Sequence, residues 1–309
     1  MGRIFLLALV GIVVVVIGFS LIDATGSDGD VDANAVLSDA GVDISGYARA
    51  VEPYAWRFPR DHGAHPEFQT EWWYYTGNLA ADDGRRFGYQ FTIFRRALTP
   101  QADDTASEWR TNQIYLAHFT VTDVQGEQFY QSERYSRGGA GLAGADVEPS
   151  LRVWLEDWQI AAQNDDATRL TIRADSGEVA IDFTLEQAKP PALQGDNGLS
   201  AKSDQPGNAS YYYSLSRLLT EGTITIQGEP YAVSGTTWMD HEFSTSALGG
   251  DALGWDWFGL QLDDNRELML GQIRLMDGGR DPAFGGLLVE ADGSTRALTA
   301  DDFTIQSTA

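Results

Sequence analysis

Past Pro53 the chain alternates between apolar and polar residues almost without interruption. In RFGYQFTIFR (Arg86–Arg95), Phe87, Tyr89, Phe91 and Ile93 share one side of an extended chain, with Gly88, Gln90 and Thr92 on the other. Successive side chains of a strand point to opposite faces, so this period of two reads as β-structure. The same period runs through QIYLAHFTVTD, RVWLEDWQI, Arg169–Arg173, EVAIDFTL, GTITIQG, YAVSGTTWMDHEF and ELMLGQIRL. Turn-forming pairs separate the runs: Asp83-Gly84, Gln125-Gly126, Ser176-Gly177, Gln227-Gly228, Asp264-Asn265 and Asp292-Gly293. No capped segment of helical period follows residue 53. The pattern predicts an all-β fold made of hairpins.

Two hairpins echo each other. WYYTGNLAADDGRRFGYQFTIFR (Trp73–Arg95) and WFGLQLDDNRELMLGQIR (Trp257–Arg274) both run from an aromatic start through an acidic turn to an alternating strand that ends in Arg. The echo marks either two similar β-barrels in tandem or a chance likeness of two hairpins. Ala188–Ser210, rich in Pro, Gly and polar residues, reads as a long loop over one barrel.

The N-terminus breaks the pattern. Ile4–Ile22 is an uncharged run of 19 residues, long enough as a helix to span a bilayer core. It exceeds the apolar region of an ordinary cleavable signal, so a retained transmembrane anchor over 1–22 is expected, with secretion after cleavage as the alternative. Arg3 before the run and the Asp residues after it predict that the bulk of the chain is extracytoplasmic, in the periplasm. Residues 23–50, acidic and poor in apolar residues, read as a disordered tether.

Composition then excludes several functions. The chain has no cysteine, which removes disulfides, thiolate metal sites and a lipoprotein anchor. Its net charge is −24, and only two of its 21 basic residues are lysines, Lys189 and Lys202. Nucleic acid needs a basic face and is not expected as a partner. The acidity reads as solubility in a salty habitat, or as a functional acidic surface.

Familiar motifs carry little. Gly139–Gly144 satisfies G-x-G-x-x-G but lacks the strand and helix that give that spacing meaning. His62 and His65, in DHGAHPE, have acids on both sides. They are either two-thirds of a zinc site or a turn whose imidazoles bond to backbone, and the second is expected. His118 reads as a satisfied core histidine. The strained G-x-S-x-G elbow is absent, leaving Ser214, Ser244 and Ser246 near His241 as weak candidates for a nucleophile. No metal and no cofactor are expected.

EWWYY and WMDHEFSTSALGGDALGWDWFG remain. On a strand, Trp238, Asp240 and Glu242 share one face and Met239, His241 and Phe243 the other, while Trp255 and Trp257 face together with Asp256 opposite. An acid desolvated among tryptophans stays protonated near neutrality and can donate its proton. Aromatic faces can then stabilise a cation. That is the chemistry of adding water to an alkene. The competing reading pairs Asp240, His241 and Glu242 with Arg95, Arg217 or Arg274 to close the barrel's end.

HPEFQTEWWYYTGNL, RRFGYQFTIFR, YYYSLSRL, TTWMDHEFSTS and GWDWFGLQLDDNRELMLGQIR resemble, in order and over Tyr54–Leu275, the carotenoid 1,2-hydratase / AttH family of lipocalin-like proteins. The resemblance implies two tandem lipocalin-like β-barrel domains after an N-terminal transmembrane helix, at 51–220 and 221–309. Members nearest this pattern are exported proteins, loosely labelled secreted hydrolases and associated with ABC-type export systems. More distant members hydrate the terminal double bond of acyclic carotenoids or catalyse fungal cyclisations. Two departures matter. The chain stops at DDFTIQSTA, short of the family's last strands, so a truncated or differently closed second barrel is expected. The MDHE form belongs to the AttH-like branch, so hydratase chemistry does not carry over by name.

The expectation is a membrane-tethered protein that binds an apolar small molecule, a lipid or isoprenoid, with ABC transporter components as partners. The alternative is a hydratase or a hydrolase. Asp240, His241 and Glu242 are the expected catalytic group, with Asp240 as proton donor. Glu71, Trp72, Trp73, Tyr75, Trp238, Trp255, Asp256 and Trp257 are the expected ligand-binding group.

Overall fold

A computed structural model describes residues 44–101, 107–246 and 248–306. Apart from a single 3-10 turn at Arg60–His62, its regular structure is all strand. The strands are β1 (Thr70–Ala81), β2 (Arg86–Ala97), β3 (Gln113–Asp123), β4 (Gln128–Arg137), β5 (Ala143–Asp146) and β6 (Arg152–Leu155). Next come β7 (Trp158–Ala162), β8 (Arg169–Asp175), β9 (Val179–Gln187), β10 (Ala192–Leu193), β11 (Leu199–Ala201) and β12 (Ala209–Ile226). The chain continues with β13 (Glu229–Ser246), β14 (Ala252–Gln261), β15 (Glu267–Leu275), β16 (Gly286–Val289) and β17 (Thr295–Leu298). Among the described residues no helix is long and apolar enough to cross a membrane, and Ile4–Ile22 lies outside them.

The first thirteen strands make one antiparallel sheet in the order β4-β3-β2-β1-β13-β12-β9-β8-β7-β6-β5, with β10 and β11 added against β12. This sheet curls into a nearly closed barrel. Arg134 of β4 crosses the gap to Glu156 and Asp157, and its guanidinium lies 4.2 Å from the centroid of the Trp158 ring. The alternating residues fill the interior as their period requires: Phe87, Tyr89, Phe91 and Ile93 are buried there with Trp73, Tyr75 and Phe119. Each large apolar side chain so buried contributes roughly 1.5–3 kcal/mol.

β12 and β13, each of 18 residues, form a hairpin whose turn, Gln227-Gly228, has positive φ at both positions. That geometry matches the twist of the flanking strands and suits glycine at the second position. Residues 220 and 221, where the sequence reading divides two domains, are consecutive in β12. Residues 252–298 form a separate, open four-stranded sheet, β14-β15-β16-β17, where a second barrel is expected. The two hairpins that echo each other are β1-β2 and β14-β15.

The small sheet packs against the outer face of β12 and β13 through Tyr212, Trp238, Met269, Ile273, Phe284 and Leu287. Thr237–Thr245 is therefore buried on both faces. Such a strand is normally apolar throughout. This one carries Asp240, His241 and Glu242, whose burial is tolerable only if each finds partners.

Candidate active site

Strand register divides the expected site residues between two clusters. β1 pairs with β13 so that Glu71 faces Phe243, Trp73 faces His241 and Tyr75 faces Met239, all pointing into the barrel. Trp72, Tyr74 and Thr76 face Glu242, Asp240 and Trp238 on the outer side. β12 continues the division, with Tyr213 opposite His241 and Ser214 opposite Asp240.

The outer cluster lies under the small sheet. Asp240 Oδ1 accepts from Ser214 Oγ at 2.5 Å and from Trp238 Nε1 at 2.8 Å. Gln194 Nε2 donates to Ser214 Oγ at 2.8 Å, while the buried Gln194 Oε1 finds no partner among the described residues. Aromatic rings cover the acid. Trp257 meets Trp238 and Tyr74 edge-on, at 5.9 and 5.6 Å between centroids, and donates Nε1–H to Tyr212. A Cβ on Gly259 would come within 2.7 Å of the Trp257 ring and 3.0 Å of Trp238, so glycine there makes room for both indoles. Trp72, Tyr74, Trp255 and Trp257 are only half-buried, so solvent reaches part of these rings. Burial pushes the Asp240 carboxyl up to about 7, against the pull of hydrogen bonds from Ser214 and Trp238, and the charge of Glu242 adds to the rise. Glu242 is held by Lys202 at 3.0 Å and by the Ser210 hydroxyl. Asp256 lies apart, bonded to Gln272 and Arg274.

The inner cluster closes one end of the barrel. Residues 54–69 cross that end, and their histidines bond to side chains rather than to backbone. His65 Nδ1 and His241 Nε2 both approach Glu71 Oε1 at 2.8 Å. Glu71 Oε2 accepts from Arg95 Nε and from the His65 amide, each at 2.9 Å. The Tyr213 hydroxyl sits 2.6 Å from His62 Nδ1 and 3.1 Å from His241 Nδ1. His65 stacks on Phe243 at 3.6 Å, and His241 on Trp73 at 4.9 Å.

Charge in this cluster is balanced locally. Burial would raise Glu71, but Arg95, His65 and the bond from His241 hold it well below the usual carboxylate range. Burial also opposes a charge on His65, yet Glu71 and then Asp61 raise it to about 9. His62 is pushed down to about 3 by burial and by His241. His241 is lowered by burial, which outweighs the pull of Glu71 and of the Asp61 carbonyl. His65 Nδ1, Glu71 Oε1 and His241 Nε2 lie within 4.8 Å of one another, a spacing that could hold a metal ion. Here both imidazoles direct their nitrogens at one carboxylate oxygen, and protons account for the contacts.

Asp240 and His241 thus belong to different sites, and Asp240 and Glu242 share one. The arginines weighed as partners of the triplet go elsewhere: Arg95 to Glu71, Arg217 to Glu267 and Arg274 to Asp256. His118 lies on the outer face of β3, bonded to Glu133. Ser214 is the partner of Asp240, not of a histidine. The sequence reading missed Tyr213, Gln194 and Lys202. One usable signal was present: both lysines of the chain, Lys189 and Lys202, fall in the presumed loop and are buried in ion pairs.

The profile of AttH-like proteins matches residues 49–309. The chain belongs to the AttH-like family. The crystal structure of a candidate AttH from Nitrosomonas europaea is 35% identical, covers 82% of this chain and 75% of that one, and superposes with a TM-score of 0.71. Kievitone hydratase from Nectria haematococca shares the fold at a TM-score of 0.59 and 13% identity, over 79% of this AttH-like chain and 68% of its own. No protein of curated function matches the sequence.

Proposed function

We propose that this AttH-like protein adds water across a double bond of an apolar lipid or isoprenoid, with Asp240 as the proton donor. One observation carries the reading: a carboxyl that is buried, poised near neutrality and covered by the rings of Trp238, Trp257 and Tyr74, the last two only half-buried. A general acid works best when its pKa lies near the operating pH.

The chemistry follows from these groups. Asp240 gives its proton to one alkene carbon, and the π electrons form the new C–H bond. The positive charge left on the other carbon is stabilised by the aromatic faces around it. Water adds to that carbon, and its surplus proton returns to the Asp240 carboxylate. Glu242 tunes the acid by raising its pKa, while His241 belongs to the separate inner cluster and takes no part in this step. A carrier that holds its ligand unchanged would use the same aromatic rings and would not need Asp240 to be protonated.

In the same proposal the protein works outside the cytoplasm, tethered through Ile4–Ile22, with an ABC-type exporter as partner. The apolar run and the family resemblance support this part. The test is incubation of the full chain in detergent with a lipid extract in ¹⁸O-labelled water, followed by mass spectrometry of bound and free lipids. A product carrying one labelled oxygen and no cleavage supports hydration. Lipid retained unchanged would replace the enzyme with a carrier, and a labelled cleavage product would make it a hydrolase.

A further inference from the structure

The donors around Asp240 do not treat its two oxygens alike. Ser214 Oγ at 2.5 Å and Trp238 Nε1 at 2.8 Å both meet Oδ1. The indole of Trp238 offers only an N–H, so that bond has one direction. In a protonated carboxyl the carbonyl oxygen is a better acceptor than the hydroxyl oxygen. Trp238 therefore favours Oδ1 as the carbonyl and leaves the hydrogen to Oδ2.

Ser214 is held in agreement with this. Gln194 is fully buried just past β10, and its backbone N–H is bonded to the Tyr212 carbonyl at 3.0 Å. Its side chain gives Nε2–H to Ser214 Oγ at 2.8 Å. That bond occupies a lone pair of the hydroxyl oxygen and leaves the hydroxyl hydrogen to point at Oδ1. A hydroxyl that accepts one bond also donates a stronger one. The Tyr212 hydroxyl, which takes Trp257 Nε1–H at 3.1 Å, bonds the carboxyl as well. It can both give and accept, so it is compatible with a hydrogen on Oδ2. The charged neighbours on this face, Glu242 and Lys202, are paired with each other at 3.0 Å.

We infer that Gln194 and Ser214 are positioning residues which, together with Trp238, keep the acidic hydrogen of Asp240 on Oδ2. The inference rests on the reading of Asp240 as a general acid. In the transfer step the Oδ2–H bond breaks and its electron pair stays on the carboxylate. The hydrogen forms the new C–H bond with the alkene π pair. The negative charge left behind spreads onto Oδ1, where two donors already stand, so no group has to reorient as it forms. When the added water gives up its surplus proton, the same two donors direct it back to Oδ2. Gln194 and Ser214 act through Asp240 and do not touch the substrate.

The test follows the carbonyl stretch of the protonated Asp240 carboxyl in the full chain in detergent, with ¹³C-aspartate to mark the band. Infrared difference spectra are taken between about pH 5.5, where most ordinary carboxyls are ionised, and about pH 8.5. Asp240→Asn should delete the band, which assigns it. A carbonyl stretch falls in frequency with each hydrogen bond its oxygen accepts, so Trp238→Phe and Ser214→Ala should each raise it. Gln194→Met should raise it less, since it removes only the bond behind Ser214. Ser214→Thr keeps the hydroxyl and should keep the band near its original place. A band unmoved by Trp238→Phe would put the hydrogen on Oδ1 and overturn the inference. So would a band unmoved by both Ser214→Ala and Gln194→Met, and these two carry the test if Trp238→Phe does not fold. If no band depends on Asp240, the general-acid reading itself falls and takes this inference with it, so the two failures are told apart.

Discussion

Asp240 and His241 are successive residues of β13 whose side chains leave the strand on opposite faces and share no hydrogen-bond partner. Asp240 reaches Ser214 and Trp238 under the small sheet. His241 reaches Glu71 and Tyr213 inside the barrel. Each cluster can be perturbed while the other stays intact.

The Asp240 cluster should announce itself through pH. Its carboxyl is held at about 7 in the folded protein, against an ordinary value of 3.8. Between these values the folded state keeps a proton that the unfolded chain releases, so stability falls as pH rises from about 4 to about 7. Each unit of displacement corresponds to about 1.4 kcal/mol. Asp240→Asn carries no charge in either state and should gain on the unaltered protein across that window, by a few kcal/mol, then level off. Urea denaturation of both proteins through the window checks this. A difference that does not change with pH contradicts it.

His65 should act in the opposite sense and at higher pH. Glu71 and Asp61 raise it from 6.5 to about 9, so its contribution is fully present below about 6.5 and is lost as pH rises through about 9. Thermal melts of the unaltered protein should decline over this range, and those of His65→Gln should decline less. Parallel curves would remove His65 from the charge balance of the cluster.

Glu71 ties together four donors, among them the fully buried Arg95. Glu71→Gln leaves that guanidinium without its counter-charge, which should cost about 3–5 kcal/mol. Adding Arg95→Met should recover part of the loss, because the unpaired charge is then gone. A double-mutant cycle by chemical denaturation measures both. Simple additivity would mean that the two side chains are not coupled.

Lys189 joins the small sheet to the rest. Its ammonium bonds Glu267 at 2.8 Å, together with the Asn265 and Glu290 carbonyls, and Arg217 of β12 holds the other Glu267 oxygen at 2.5 Å. Lys189→Met should loosen β14–β17 before the barrel. Hydrogen exchange should show protection falling in residues 252–298 and holding in β1–β3. Uniform loss across the chain would contradict a local fastening role.

Much of this was legible in the sequence because it is periodic. Alternation placed Phe87, Tyr89, Phe91 and Ile93 on one face, and it separated Asp240 and Glu242 from His241. It could not show that both faces of β13 are buried, since that depends on a second sheet formed by residues 252–298. Partner choice was also hidden. Glu71 meets Arg95 because β1 and β2 pair at those two residues, and register is a property of the assembled hairpin. The segments that complete each cluster, His62–His65 and Gln194–Lys202, lack a clear period and looked like loops. Their bonds to Tyr213, Glu71, Ser214 and Glu242 span from 6 residues to 151 in the chain, so no local pattern reveals them.

The central claim is that Asp240 delivers a proton to an apolar substrate. The most direct measurement compares the unaltered protein with Asp240→Asn in ¹⁸O-labelled water, following labelled product and bound lipid in the same samples. A lost general acid typically lowers rate by about 10²–10⁴-fold, so the variant should form at least about 100-fold less labelled product while retaining lipid as well as the parent. Labelled product at the parent rate from Asp240→Asn would contradict the account.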